Sequence, residues 1–93
     1  MDISIRPRPT NMGWHFLVTL SDEKGQTQHN VHVDKDFLMR IGQDHDPEKV
    51  VKTSFEFLLE KGPKEAILGE FDITTISHYY PEFITELEKR LVY

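Results

Sequence analysis

Between Asp46 and Gly62 the apolar residues recur at helical spacing. At about 100° per residue, Phe57, Val50, Ser54, Leu58, Val51, Phe55 and Leu59 fill an arc of about 200°. Lys49, Lys52, Thr53, Glu56 and Glu60 take the remainder. Asp46 supplies a capping carboxylate, Pro47 suits the first turn, and Gly62 is a stop. An arc this wide exceeds what one sheet covers. The pattern therefore predicts a helix that touches a sheet on one side and another helix or subunit on the other.

Upstream the period changes to two. Ile3 and Ile5 alternate with Asp2, Ser4 and Arg6, which predicts a short half-buried strand ended by Pro7 and Pro9. Thr10-Asn11-Met12-Gly13 reads as a turn. From Trp14 to Leu20, Trp14, Phe16, Val18 and Leu20 share one face, and His15, Leu17 and Thr19 the other. Asp22-Glu23-Lys24-Gly25 turns the chain into a strand from Thr27 to Val33. Val31 and Val33 join the apolar face only if paired residue numbers add to an odd number. A turn centred on Lys24-Gly25 sets Val18 opposite Val31 and Phe16 opposite Val33, with Ile5 opposite Trp14.

Further elements follow from caps and stripes. Asp34 can cap a helix from Lys35 to Ile41 that buries Phe37, Leu38 and Ile41 and stops at Gly42. Gln43-Asp44-His45 is a polar loop. Pro63 restarts the chain, and Lys64 to Leu68 can form a helical turn. Phe71 to Ile76 has the β-branched content of a strand, but Asp72, Ile73, Ile76 and Tyr80 keep helical spacing, and helix is the favoured reading. Pro81 opens a last helix with Phe83, Ile84, Leu87 and Leu91 as its stripe. The predicted fold is α+β: a three-stranded antiparallel β-meander with three to four helices packed on one face, in a single domain over residues 1–93.

The stretches Phe55-Glu56-Phe57-Leu58-Leu59-Glu60, Pro63-Lys64-Glu65-Ala66-Ile67-Leu68, Phe71-Asp72-Ile73, Ile76 and Tyr80-Pro81-Glu82-Phe83 carry a further signal. Over this C-terminal part the chain resembles a group of small prokaryotic proteins of uncharacterised function. The resemblance favours the helical reading of Ile73 to Tyr80. It implies no activity and assigns no functional residue.

Composition narrows the function classes. A net charge of -5 disfavours nonspecific binding to nucleic acid or anionic membrane, although Arg6 with Arg8 and Lys89 with Arg90 are small basic patches. The absence of cysteine removes disulfides, thiolate metal sites and cysteine nucleophiles. No basic-then-apolar leader and no apolar run of about 20 residues is visible, so the expected location is the cytoplasm.

Candidate chemistry lies on the polar side of the sheet. The predicted register sets His15 opposite Asp34, Leu17 opposite His32 and Thr19 opposite Asn30. His15, Asn30, His32 and Asp34 are then direct or diagonal neighbours within about 5–8 Å, with Ser4 and Arg6 on the same surface. Two imidazoles and a carboxylate can ligate a divalent metal or titrate near neutrality, but the bland reading is a solvated polar face. His29 falls on the opposite side and is excluded. Leu17 is the apolar exception on that face and can mark self-association. Asp44-His45-Asp46 lacks calcium-loop spacing, and Asp46 serves better as a helix cap. Tyr80 continues an apolar stripe, leaving Tyr79 as the exposed aromatic.

No phosphate loop, nucleophile elbow or His-Glu-x-x-His motif is present. The sequence reading is therefore a homodimeric interaction module that acts by binding. Its contact surface is the polar sheet face, with His15, Leu17, Asn30, His32 and Asp34, or one of the sheet's open edges, and its partner is a second copy or another protein; no catalytic residue, metal or cofactor is assigned. The alternatives are a small metal-binding or acid–base enzyme using the same histidines, or a nucleic-acid-associated regulator.

Overall fold

A computed structural model describes residues 1–41 and 45–91. The expected stop at Gly42, and Gln43 and Asp44 of the following loop, lie outside the described residues. The chain runs β1 (Asp2–Thr10), β2 (Gly13–Asp22), β3 (Gly25–Asp34), α1 (Lys35–Ile41) and α2 (Pro47–Lys61). A 3₁₀ turn (Lys64–Ala66), β4 (Glu70–Asp72), α3 (Thr75–Tyr79) and α4 (Phe83–Leu91) complete it.

The α+β class agrees with the sequence reading, but the sheet is four-stranded and mixed, in the order β1-β2-β3-β4. β1, β2 and β3 form the expected antiparallel meander. β4 adds to it in parallel with β3, anchored by the Asn30 N–H donating to the Gly69 carbonyl and the Ile73 N–H donating to the His32 carbonyl. The choice between strand and helix for residues 71–76 resolves into both. Phe71 and Asp72 are strand and Thr75 onward is helix, with the Asp72 carboxylate accepting from the Thr74 N–H across the turn. Three residues are too few to display a period of two. That is why the helical spacing of Ile73, Ile76 and Tyr80 dominated the pattern.

Pro7 and Pro9 do not end β1, which continues to Thr10. The Asn11-Met12 turn is closed by the pair Thr10–Gly13, which makes even-numbered residues of β1 the ones that hydrogen-bond to β2. The prolines are odd-numbered, so their missing N–H groups fall on the open side of a terminal strand.

Parity between β2 and β3 is as predicted, but the register differs by two. Asp22 pairs with Gly25 around a two-residue turn at Glu23-Lys24, which sets Phe16 opposite Val31 and Trp14 opposite Val33. The Lys24 N–H donates to Asp22 Oδ1 in this turn, and Gly25 takes a φ of +136°. Likewise Ile5 faces Val18 rather than Trp14.

One core joins the apolar sheet face to the helices: Phe16, Val18, Leu20, Val31 and Val33 with Val50, Val51, Phe55, Phe57, Ile73, Phe83 and Leu87. Each large side chain here contributes on the order of 1.5–3 kcal/mol by leaving water. The wide apolar arc of α2 is used as expected. Phe55 lies 6.0 Å from Phe71 on the sheet, and Phe57 lies 5.5 Å from Phe83 of α4. Asp46 caps α2 by accepting from the Glu48 N–H. Its end at Gly62 is extended backbone, the conformation a following Pro63 imposes. Arg90 of α4 grips Glu60 of α2 through two hydrogen bonds of 2.8 Å.

Candidate functional site

All the helices that bury apolar side chains do so against the face bearing Phe16, Val18 and Val31. The other face carries the even-numbered residues of β1 and β3 and the odd-numbered residues of β2. Its side chains are exposed or half-buried, and glycine aside none is fully buried. The five sequence-predicted site residues, His15, Leu17, Asn30, His32 and Asp34, all lie on it.

Their pairing differs from expectation. His15 faces His32 rather than Asp34, Leu17 faces Asn30 rather than His32, and Asp34 faces Gly13. The cause is the two-residue register offset, which leaves every side chain on its predicted face while exchanging its partner. The two imidazoles meet edge to face with centroids 5.4 Å apart. His32 Nε2 is 3.6 Å from Asp34 Oδ1.

Combining the three registers reveals two rows across the sheet. One reads Arg8, His15, His32, Asp72; the other reads Arg6, Leu17, Asn30, Glu70. Each begins with arginine on the β1 edge and ends with a carboxylate on β4. These two rows are therefore charge-graded, basic at the β1 end and acidic at the β4 end, while Asp2 lies farther along β1 on the same face. Leu17 is half-buried between Arg6 and Asn30 and does not stand free.

Asp72 is the functional candidate that sequence reasoning missed, because β4 was not recognised as part of this sheet. In β4 the alternation of Glu70, Phe71 and Asp72 turns Phe71 inward and the two carboxylates outward, a pattern too short to be read without its pairing to β3. One ligand atom from each of His32, Asp34 and Asp72 lies within 4.8 Å of the others. Asp72 Oδ1 accepts from both the N–H and the hydroxyl of Thr74, which fixes the carboxylate. With ligand bonds of about 2.1 Å, a tetrahedral cation separates its ligands by about 3.4 Å, close to the His32–Asp34 spacing.

His29 is on the opposite face, as expected, and is buried there. Its Nδ1 donates to the Leu68 carbonyl at 2.7 Å, and its Nε2 is 2.8 Å from the Thr27 hydroxyl. Both ring nitrogens are thus committed, Nδ1 to the loop before β4 and Nε2 to Thr27 of its own strand. Lys64 is similarly structural. Its buried ammonium pairs with Glu65 and with Asp22 at 3.2 Å, tying the 3₁₀ turn to the β2–β3 turn. The Glu65 hydrogen bond chiefly raises the Lys64 pKa above its ordinary value. The Lys24 backbone N–H, then Lys64, hold the Asp22 carboxyl below its own.

An apolar groove runs between α2 and α3, lined by Leu58, Ile67, Phe71, Ile76 and Tyr80. Tyr79 is exposed beside it, as expected, while Tyr80 packs against Phe57 at 5.7 Å. Among the described residues no helix is long and apolar enough to cross a membrane. The chain matches no family model, no curated protein and no solved structure.

Proposed function

We propose that this chain is a small cytoplasmic interaction module that acts by binding and works as a homodimer. Copies meet at the edge of β1, and the polar face with its charge-graded rows is the surface they present. The observation that carries this reading is the terminal position of β1, a nine-residue strand with no neighbour beyond it among the described residues. The parity set by the Thr10–Gly13 turn directs the backbone N–H and C=O groups of Ile3 and Ile5 outward. Such an edge is a template for another strand, and proline restrains it only from Pro7 onward. Light scattering tests the reading: the purified protein should have twice the monomer mass at micromolar concentration. A strict monomer at high concentration overturns it.

One observation favours a second reading, divalent-metal binding: β4 supplies Asp72 as a third ligand beside His32 and Asp34. One imidazole and two carboxylates suit a borderline cation such as zinc or nickel. Micromolar zinc should shift the His32 resonances, with neighbouring His15 following through the ring contact, and Asp72→Asn should weaken that response. Unchanged resonances eliminate this reading.

A further inference from the structure

The order of side chains along β1 specifies how two copies fit. We infer that β1 pairs antiparallel with β1 of a second copy, with Ser4 on the two-fold axis, making one continuous eight-stranded sheet. This inference rests on the homodimer reading and adds its register.

Three independent requirements select that register. First, hydrogen bonds across the new edge must come from odd-numbered residues, because the even-numbered ones are spent on β2. Centring on Ser4 places Ile3 of one copy opposite Ile5 of the other, twice, so four outward backbone pairs are satisfied. Centring on Ile5 instead places Ile3 opposite Pro7, which has no N–H to give. Second, charges must complement one another. With Ser4 on the axis, Asp2 of each copy faces Arg6 of the other on the open face. Centring on Ile3 leaves Asp2 opposite Ser4 and Arg6 without an acidic partner across the edge. Third, apolar surface must meet apolar surface. Ile3 and Ile5 are half-buried on the helix-covered side. Facing each other across the axis, they extend the core from one copy to the next.

The geometry also closes. A two-fold axis perpendicular to the sheet puts the helices of both copies on the same side, and a strand paired with itself leaves no second β1 edge to propagate from. Pro7 and Pro9 lie just beyond the paired segment and oppose longer or slipped pairings. A β1-to-β4 contact would match the basic edge to the acidic one. However, it is head-to-tail and would build open filaments over only three residues.

Because the chain contains no cysteine, a single introduced thiol reports the register without interference. In the Ser4-centred arrangement the two Ser4 residues form a non-hydrogen-bonded pair about 4.5 Å apart at Cα, within disulfide reach. The two Asp2 residues are then about 13 Å apart along the strands. Ser4→Cys incubated with oxidised glutathione should form a covalent dimer, at least about tenfold faster than Asp2→Cys or the exposed control Gln28→Cys. In unlabelled protein, Asp2→Arg and Arg6→Asp should each raise the dimer dissociation constant about tenfold, and the double exchange should restore it. A dimer in which Ser4→Cys cross-links no faster than the controls overturns the register while leaving the homodimer reading intact. Monomeric wild-type protein overturns both. Wild-type protein that stays monomeric and instead binds an extended peptide along β1 also overturns both, since the edge would then be that peptide's acceptor.

Discussion

Gly13 shows how much of this fold depends on one missing side chain. It closes the β1–β2 turn at a φ of +152°, and a Cβ there would sit 2.1 Å from the Val33 carbonyl oxygen. Gly25 closes the next turn at +136°, but a Cβ there meets nothing within 4 Å. Gly25→Ala should therefore cost only the conformational strain, about 1–3 kcal/mol. Gly13→Ala adds a backbone collision and should destabilise well beyond that range. Denaturant titration of the two variants checks this; equal losses would contradict the close approach of Gly13 to the Val33 carbonyl. The sequence made Gly13 and Gly25 legible as turn residues. It placed the first turn at Asn11-Met12, as found, but centred the second on Lys24-Gly25 instead of Glu23-Lys24, and that produced the two-residue offset between β2 and β3. Parity survived because the apolar face punishes an odd slip and tolerates an even one. Hence His15, Leu17, Asn30, His32 and Asp34 were assigned to the right surface and given the wrong partners.

At the level of elements, α2 was legible from end to end because its cap, its apolar arc and the Gly62-Pro63 stop agree. Thr53 is the exception, buried although it falls in the polar arc. β4 was not legible as a strand, since its pairing comes from β3 far upstream. With it went Asp72 and the acidic end of both rows. α4 begins at Phe83, two residues after the predicted Pro81. The 3₁₀ turn is held by charge, which makes its contribution depend on pH. Asp22 and Glu65 both have folded pKa values below their ordinary ones, Glu65 chiefly through its hydrogen bond to Lys64. Their stabilisation is therefore complete above the unfolded carboxylate values and fades as pH falls from about 4 through the lowered folded values. The urea midpoint of the wild type should fall across that acid window, and Asp22→Asn should show a shallower fall. Parallel pH profiles would contradict a role for Asp22 in anchoring the turn.

On the scale of the whole molecule, placing every helix on one face leaves two surfaces with different characters. One is the polar face, whose graded rows run from Arg6 and Arg8 to Glu70 and Asp72. The other is the β1 edge, where backbone groups at Ile3 and Ile5 face outward. The edge makes the stronger case, because unpaired strand groups gain hydrogen bonds and buried area together when a second strand arrives. Proline at position 3 would have the same parity as Pro7, which the ladder to β2 already accommodates. Ile3→Pro should thus leave the fold in place while removing two of the four backbone donors available to the edge. The most direct measurement is the solution mass of wild type and Ile3→Pro side by side as concentration rises, with circular dichroism to verify folding. The wild type should pass from monomer to dimer while the folded variant stays monomeric across the same range. A folded Ile3→Pro protein that dimerises as tightly as the wild type would contradict the account.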